Sequence, residues 1–415
     1  MARRTRAGIF ARLRGRLRRL SYTSSPEAAT KRDLRLDLLR GFCVVVMVAD
    51  HIGGESSWLY VITSGNRFFT SAAEGFVLIS GITMGIVYRG VIDREGLTSM
   101  LRRVMRRAGF LYLLTVSLTI VFSIISMLLN TPWSQYAQPA GPIEFALGVG
   151  TMHRSYQLVD VLLLYTLLVF ASPPLLYFLA TGRTKLVIVG AWALWLLWQV
   201  SPEEVQFPWA VVDGGFPFAA WQVLFATGVV LGYHRERIQR FLTPRVRVTV
   251  VAVGFTLAVT LIALFQMELG DPNASDPSAI GWLLSSDLVF GKNDLRPGRI
   301  VALLGVATTI FTLVTIFWAP IRRALGWLLL PLGQRALGAY ALHLFIIAAA
   351  HSWIGDPLAS GGEHTLIQVV GIVLIWAALP LLPWLAEIEH LATRASLAHP
   401  LARFLGVRRQ AAEAT

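Results

Sequence analysis

The sequence is poor in charge and nearly devoid of cysteine. Of its 415 residues, 15% are charged and 55% are hydrophobic, whereas about 25% are charged in a typical soluble domain. Cys43 is the single cysteine, so no disulfide can form within the chain. The low charge and the long apolar runs predict an all-α polytopic membrane protein.

Several sequence patterns of known chemistry are also missing. The chain contains no Walker A, HExxH, CxxC or GxSxG pattern. Their absence argues against phosphate-loop NTPases, zinc proteases and serine hydrolases. We therefore expect neither a metal site nor a tightly bound cofactor.

Long apolar runs predict about ten transmembrane helices. A helix needs about 20 apolar residues to cross a bilayer. Such windows lie near residues 36–52, 72–88, 108–129, 157–179, 186–200, 216–233, 248–267, 300–319, 336–353 and 366–386. A shorter apolar stretch at 327–332 is expected to be interfacial or re-entrant.

The basic residues predict the orientation of these helices, because cytoplasmic loops are rich in Lys and Arg. With both termini in the cytoplasm, nearly all of the 37 Lys and Arg residues face inward. Five are expected outside, namely Arg67, Arg154, Lys292, Arg296 and Arg299. The net charge of +13 is thus a topology signal and not a sign of nucleic-acid binding.

The first predicted helix carries charge where a lipid-facing helix would carry none. Arg40 and His51 are eleven residues apart, which is close to three helical turns, so both point to one side about 16 Å apart. Val44 and Met47 lie between them on that side, while Asp50 points about 100° away from His51. We interpret this helix as the wall of a site that is reached from both sides of the membrane.

Two further elements are candidates for the same site. Glu74 begins the second span at a depth similar to that of His51, where it would orient an imidazole or, alternatively, be a solvated acid at a helix start. An arginine cluster precedes the third span and suits a ligand with several phosphates, or else anchors anionic lipid. Its members are Arg102, Arg103, Arg106 and Arg107.

Polar residues within later spans are weaker candidates. His343 lies in the inner half of the ninth span, with Tyr340 one turn earlier as a possible partner, and is either functional or a structural histidine. Trp221 and Gln222 in the sixth span and Asp160 in the fourth are expected to face the bundle, where hydrogen bonds between helices would account for them.

Several of these motifs resemble those of membrane-bound acyltransferase-3 proteins. Arg40 and His51 match their R-x10-H element, Arg103-Val-Met-Arg106 their RxxR element, and residues 76–81 their FFVLSG stretch. The chain is still more similar to the OpgC family, which succinylates osmoregulated periplasmic glucans. That similarity lies in residues 32–41, Asp50-His51, 71–81, 221–228 and His343. Arg107-Ala-Gly, where acyltransferase-3 proteins often have a proline, and the arginine-rich N-terminal tail depart from the pattern.

The resemblance implies transfer of an acyl group, succinyl in the first instance, from cytoplasmic acyl-CoA to a hydroxyl of an extracytoplasmic glucan. His51 would be the general base, or would carry the acyl group itself, and Glu74 or Asp50 would hold its tautomer. Arg40 and the arginine cluster would bind the CoA phosphates. The remaining candidates are assigned to the substrates: Arg67, Arg154 or Arg40 to the succinyl carboxylate, and Trp221, Gln222 and His343 to the substrate site.

Composition and the predicted spans also indicate the organisation of the chain, and the resemblance implies its activity and location. Residues 1–30 would be a disordered basic cytoplasmic tail and linker, 31–390 the transmembrane acyltransferase domain, and 391–415 a cytoplasmic tail, in a multi-pass inner-membrane protein surrounded by lipid. Three alternatives stay open: an acetyltransferase that acts on a different glycan, a proton-coupled transporter, and a structural partner of a polysaccharide synthase. The sequence leaves the oligomeric state undetermined.

Overall fold

The computed structural model describes residues 21–22, 33–53, 57–63, 69–129, 141–207, 215–241, 243–269, 287–354 and 360–381. Within these residues the secondary structure is helical, with three short 3-10 turns in addition to the α-helices. The α-helices are α1 (Leu34–Ile52), α2 (Tyr60–Thr63), α3 (Ala72–Leu129), α4 (Pro142–Gly150), α5 (Asp160–Phe170), α6 (Ser172–Ala180), α7 (Thr184–Val200), α8 (Phe218–Tyr233), α9 (Arg235–Phe241), α10 (Pro244–Leu269), α11 (Asp287–Phe290), α12 (Pro297–Ile316), α13 (Trp318–Gln334), α14 (Ala336–Ile354) and α15 (Gly361–Ala378).

The all-helical membrane class is confirmed for the described part of the chain. Each of the ten predicted spans overlaps one of its helices. By length and apolarity, five helical stretches qualify as membrane spans, or six if α13 and α14 form one broken span. The total of ten spans and the cytoplasmic placement of both termini stay predictions. The predicted tails at 1–30 and 391–415 lie outside the described residues, apart from residues 21–22.

The long helix α3 contains a break that the hydropathy pattern does not show. Gly96 has φ 82°, a left-handed conformation that favours glycine, so α3 consists of two helical segments. The predicted second and third spans fall on these two segments. The basic stretch between the two spans is therefore helical on both sides of Gly96.

Glycines bring α3 and α8 into backbone contact. A Cβ atom at Gly81 or Gly85 would overlap main-chain atoms of α8, and one at Gly228 or Gly232 would overlap main-chain atoms of α3. Small residues four apart on both helices permit this approach, as in other membrane helix pairs. The contact fixes the first segment of α3 against α8.

A second glycine contact holds α1 against α13. A Cβ atom at Gly41 would overlap the carbonyl of Leu329, and one at Gly333 would overlap the carbonyl of Asp37. Immediately after this contact the chain bends by 92° between α13 and α14. The bent pair is either a broken span or a re-entrant segment, so the interfacial or re-entrant placement of 327–332 stays a prediction.

The middle of α1 is dry. Val44 and Met47, which the sequence places between Arg40 and His51, are 1% and 6% exposed. Cys43 is likewise buried and is a free thiol. The helix packs against α3, α13, α14 and α15, so it lies inside the bundle and not at its rim.

Candidate active site

The end of α1 that carries His51 is fixed by polar contacts with α15. The helix ends at Ile52 and is followed by Gly53, whose φ of 83° favours glycine. The amide nitrogen of Gln368 donates to the carbonyls of Ala49 at 3.1 Å and Gly53 at 2.7 Å. Gln368 thereby gives the Ala49 carbonyl a second donor, beside the Gly53 N–H at 3.2 Å, and satisfies the carbonyl of Gly53, which follows the helix. The position of His51 is set by this capped end.

His51 contacts a second histidine, His343 of α14. The His51 Nδ1 and the His343 Nε2 are 3.2 Å apart, and the two rings stack with centroids 5.4 Å apart. The His343 Nδ1 donates to the carbonyl oxygen of Tyr340, which can only accept. When both rings are neutral, His343 Nε2 therefore accepts from the His51 Nδ1–H. The His51 Nε2 is left with a lone pair, as a base or nucleophile requires.

This contact gives His343 a partner that the sequence did not predict. The sequence interpretation placed His343 in the inner half of its helix, with Tyr340 as a possible partner, and assigned it to the substrate. The structure instead places its fully buried ring against His51 at the end of α1. The hydroxyl of Tyr340 donates to the carbonyl of Leu158 at 2.6 Å, which fixes this turn of α14 against the start of α5.

Glu74 has a different partner from the one expected. Its carboxylate forms a buried ion pair with Arg299 of α12, at 2.6 Å from Nε and 2.5 Å from Nη2. It also accepts hydrogen bonds from the amide, at 2.7 Å, and the hydroxyl of Ser71. Among the described residues it is therefore His343, and not Glu74, that contacts His51 directly.

The loop between α11 and α12 is held by side chains from α7 and α8. Residues 291–296 form this loop, which was expected to lie outside the membrane. Three successive carbonyls of the loop accept hydrogen bonds: Trp221 donates to Asn293 O at 2.9 Å, Gln199 to Asp294 O at 2.8 Å and Trp195 to Leu295 O at 3.0 Å. Trp198 donates to the carboxylate of Asp294 at 3.1 Å. We call these four donors the indole clamp. It holds Leu295 in a positive-φ conformation (φ 48°) that costs energy for a residue with a side chain.

Two residues that had been assigned to the substrate form hydrogen bonds within the bundle, Trp221 as part of the indole clamp and Gln222 with α7. Trp221 is fully buried, and its single N–H is committed to Asn293. Gln222 is buried as well and donates to the carbonyl of Ala191 at 2.7 Å. Both therefore act between helices, as the hydrogen-bonding alternative predicts. The assignment of both residues to the substrate stays a prediction.

Lys292, in the same loop, brings a cation to the His51 end of the bundle. Its ammonium interacts electrostatically with Glu74, Arg299, Asp50 and Asp160, and its charge also acts on His51. Burial lowers the pKa of Lys292 below its ordinary value of 10.5, and the nearby Arg299 lowers this pKa further, while the three carboxylates raise it. Asp50 thus belongs to the charge cluster around Lys292.

Arg40 lies on α1 at a distance from His51 that the helical rise sets to about 16 Å. Its guanidinium donates to the Thr83 hydroxyl at 2.8 Å and lies 3.8 Å from the buried carboxylate of Asp37. The hydrogen bond to Thr83 connects α1 to the first segment of α3, at the level where Gly41 contacts α13. Arg40 and His51 are therefore separate polar ends of one otherwise dry helix.

The arginine cluster is divided between the surface and the bundle. Arg102 and Arg103 are exposed, and Arg103 pairs with Glu95 at 2.6 Å. Arg106 and Arg107 are partly buried. The Arg107 guanidinium donates to the Tyr165 hydroxyl at 2.9 Å and so reaches α5. The cluster thus runs from the surface to the interior of the bundle.

The remaining sequence candidates lie elsewhere. Arg67 is outside the described residues. Arg154 lies in the turn after α4, where its amide donates to the carbonyl of Gly148 at 2.9 Å. Lys292, Arg299 and Gln368 are the residues that sequence reasoning missed, since the two cations had been considered only as markers of topology.

The site combines a basic imidazole, a second histidine that fixes its tautomer, and a compensated set of buried charges. Such a set can accept and return a proton. A model of the family described as "OpgC protein" matches residues 32–387, which is most of the chain. Comparison with curated proteins and with solved structures gave no match.

Proposed function

Because the chain belongs to the OpgC family, whose membership indicates a membrane acyltransferase for glucans, we propose that it transfers a succinyl group from acyl-CoA to a glucan hydroxyl. In this proposal CoA binds from the cytoplasm, and the glucan lies on the far side of the inner membrane. The proposal uses residues at the two ends of α1. His51 would act in the chemical step, and Arg40, at the other end, would help to bind the acyl-CoA donor.

One observation carries the chemical part of this proposal: the hydrogen bonds from His51 to His343 and from His343 to the Tyr340 carbonyl. They leave the His51 Nε2 as an acceptor. This nitrogen takes the proton of the incoming hydroxyl as its oxygen attacks the thioester carbon. When the C–S bond breaks, the imidazolium returns the proton to the CoA sulfur. His343 keeps the ring in place during both transfers.

The arginine cluster supports the donor side. Guanidinium groups bind phosphate through paired hydrogen bonds, and CoA carries three phosphate groups. Arg102 and Arg103 are open to the surface, while Arg107 already reaches Tyr165 inside the bundle. We propose that the phosphates stay at the exposed members and that the pantetheine arm enters past Arg107 and Arg40.

The succinyl group requires a cation for its free carboxylate. We retain Arg40, Arg67 and Arg154 as proposed partners of this group. Arg40 already interacts with Asp37 and Thr83. An acetyl donor would not need such a partner, so the effect of each arginine should depend on the donor.

The test uses the full-length protein in membranes with succinyl-CoA labelled in the acyl group. We expect His51→Ala and His51→Gln to lower the transfer of label to glucan by about 10²–10⁴-fold, as for loss of a general base. His153, an exposed histidine after α4, provides the matched control, and His153→Gln should keep wild-type transfer.

Three results would count against the proposal. Full transfer by both His51 variants would remove His51 as the base. Label that crosses the membrane without joining a glucan would indicate a transporter. Label transferred from acetyl-CoA to another glycan, and not from succinyl-CoA, would indicate an acetyltransferase. Stable label on the wild-type protein in the absence of acceptor, lost in His51→Ala, would instead support an acyl-histidine intermediate.

A further inference from the structure

A cavity of about 320 Å³ lies where α3, α8 and α9 meet, at the end of the bundle that is predicted to face the cytoplasm. Its walls carry three arginines, a histidine and an acid, namely Arg89, His234, Glu236, Arg237 and Arg240. Sites for small organic molecules have about this volume or more, but their walls are mostly apolar. Basic walls suit a compact anion instead. Among the described residues, this lining and the arginine cluster have no member in common.

Arg89 of α3 is fixed against the end of α8. Its Nη1 donates to the carbonyl oxygen of Tyr233 at 2.6 Å, and its guanidinium lies 5.3 Å from the centre of the Tyr233 ring. One turn earlier the two backbones touch, since a Cβ atom at Gly85 would lie 2.6 Å from Tyr233 N. This contact sets the spacing of the two helices beside the cavity. The Arg89 side chain remains 34% exposed, so a ligand can reach it.

The other wall is fixed by α7 and continues into α9. The His234 Nε2 lies 2.9 Å from the Thr184 hydroxyl at the start of α7. α9 begins at the next residue, and Arg237 and Arg240, three positions apart, share one of its faces. The Arg237 guanidinium lies 5.9 Å from the centre of the Phe241 ring. Guanidinium groups from α3 and from α9 therefore line one cavity.

The cavity has more positive than negative charge in its walls. Asp93 lies 3.6 Å from the Arg89 Nε and offsets that arginine, and Glu236 is the acid among the lining residues. Within the part of the chain that the structure describes, neither Arg237 nor Arg240 forms a salt bridge. Membrane topology requires basic residues in the loop but no fixed arrangement of them. Like charges held in one cavity repel one another, and a bound anion would offset that repulsion.

We propose that this cavity, which we call the phosphate pocket, is a binding site for a phosphate group. Guanidinium binds phosphate through paired hydrogen bonds. A phosphate monoester carries about −1.5 to −2 charges at neutral pH and offers three acceptor oxygens. The phosphate can come from the headgroup of an anionic lipid or from a soluble phosphate compound. The inference goes beyond the proposed function and does not depend on acyl transfer.

The first arm of the experiment tests the lipid source. Full-length protein is placed in nanodiscs of phosphatidylglycerol or of phosphatidylcholine, released into detergent and examined by native mass spectrometry. The wild type should retain phosphatidylglycerol, and Arg237→Gln/Arg240→Gln should retain it at least about tenfold less, because hydrogen bonds between charged groups are lost. Both arginines are exposed, so the variant should fold. Arg322→Gln/Arg323→Gln, an exposed pair on α13, is the matched control and should retain the lipid.

The second arm tests the soluble source with radiolabelled pyrophosphate and protein in phosphatidylcholine nanodiscs. If the ligand is soluble, pyrophosphate should bind to Arg237→Gln/Arg240→Gln at least about tenfold more weakly than to the wild type. Arg102→Gln/Arg103→Gln reports binding at the arginine cluster. Arg237→Lys/Arg240→Lys keeps both charges but loses the paired hydrogen bonds, so it should bind the retained probe at least about threefold more weakly.

A selective loss of either probe in Arg237→Gln/Arg240→Gln supports the phosphate pocket, and the arm that shows it identifies the source. Three results would overturn the inference. Equal binding of both probes by this variant and the wild type would exclude the site. An equal loss in the α13 control, or no loss in Arg237→Lys/Arg240→Lys, would indicate general attraction to surface charge. A loss only in Arg102→Gln/Arg103→Gln would assign the phosphate to the arginine cluster. None of these results involves label on a glucan, so the proposed function is tested separately.

Discussion

The buried ion pair between Glu74 and Arg299 allows a quantitative prediction. The two side chains are 0% and 4% exposed, so neither charge can be solvated if its partner is removed. Loss of one member of such a pair costs about 3–5 kcal/mol of unfolding free energy, because the other charge remains buried without compensation. We consider the substitutions Arg299→Met and Glu74→Gln, separately and together.

The surrounding charges make the two single losses unequal. In Arg299→Met, the Glu74 carboxylate keeps Ser71 as a donor and Lys292 as a nearby cation, so the loss should be near 3 kcal/mol. In Glu74→Gln, Arg299 and Lys292 remain as two neighbouring cations, so the loss should be near 5 kcal/mol. The double variant removes one charge of each sign and should lose less than either single variant.

Steric trapping of the full-length protein in bicelles measures these unfolding free energies. The exposed pair of Arg103 and Glu95, whose side chains are 50% and 37% exposed, provides the control. Arg103→Met should cost at most about 1 kcal/mol. Additive losses in the double variant, about 8 kcal/mol by summation of the two single losses, would refute the reasoning. So would a larger loss in Arg299→Met than in Glu74→Gln.

Two further outcomes follow from the site and from the glycine contacts. Replacing His343 by Phe removes the acceptor of the His51 Nδ1–H. The kcat for labelled transfer should therefore fall by about 10²–10⁴-fold, with little change in KM for glucan. A rise in KM alone would favour the assignment of His343 to the substrate. Gly333→Ala should lower the unfolding free energy measured by steric trapping by about 1–3 kcal/mol, since its Cβ would overlap the Asp37 carbonyl. Gly109→Ala, a helical position with open space, should be neutral or stabilising, and equal losses at both glycines would contradict this explanation.

Much of the helical framework can be predicted from the sequence, since hydropathy depends on residues that are near in the chain. Each predicted span overlaps a helix, and Gly81 and Gly85, four apart as in other membrane helix pairs, lie at the backbone contact with α8. The break at Gly96 was not predicted, because one glycine in a polar, helical stretch gives no apolar signal. The prediction that Arg40 and His51 lie on one side of α1, about 16 Å apart, follows from helical geometry alone.

The partners within the site are less predictable, because they are far apart in sequence. His51 and His343 are 292 positions apart, and the 92° bend between α13 and α14 directly precedes the helix that carries His343. Glu74 was expected to turn toward His51 because of its depth, but depth does not give direction around a helix. Arg299 and Lys292 lie in a stretch with the composition of an ordinary outer loop, and only tertiary packing shows that Arg299 is buried and Lys292 partly buried.

The single thiol of Cys43, buried in the middle of α1, has a practical consequence for mapping which ends of the bundle face which compartment. Water-soluble maleimides react with accessible thiolates and spare a thiol enclosed by apolar side chains. The native thiol should therefore not be labelled, so introduced cysteines can be labelled without removal of Cys43. A cysteine placed at exposed Asn293 and another at exposed Arg102 would report sidedness by their opposite labelling in right-side-out and inverted vesicles, with α1 and its native thiol left untouched.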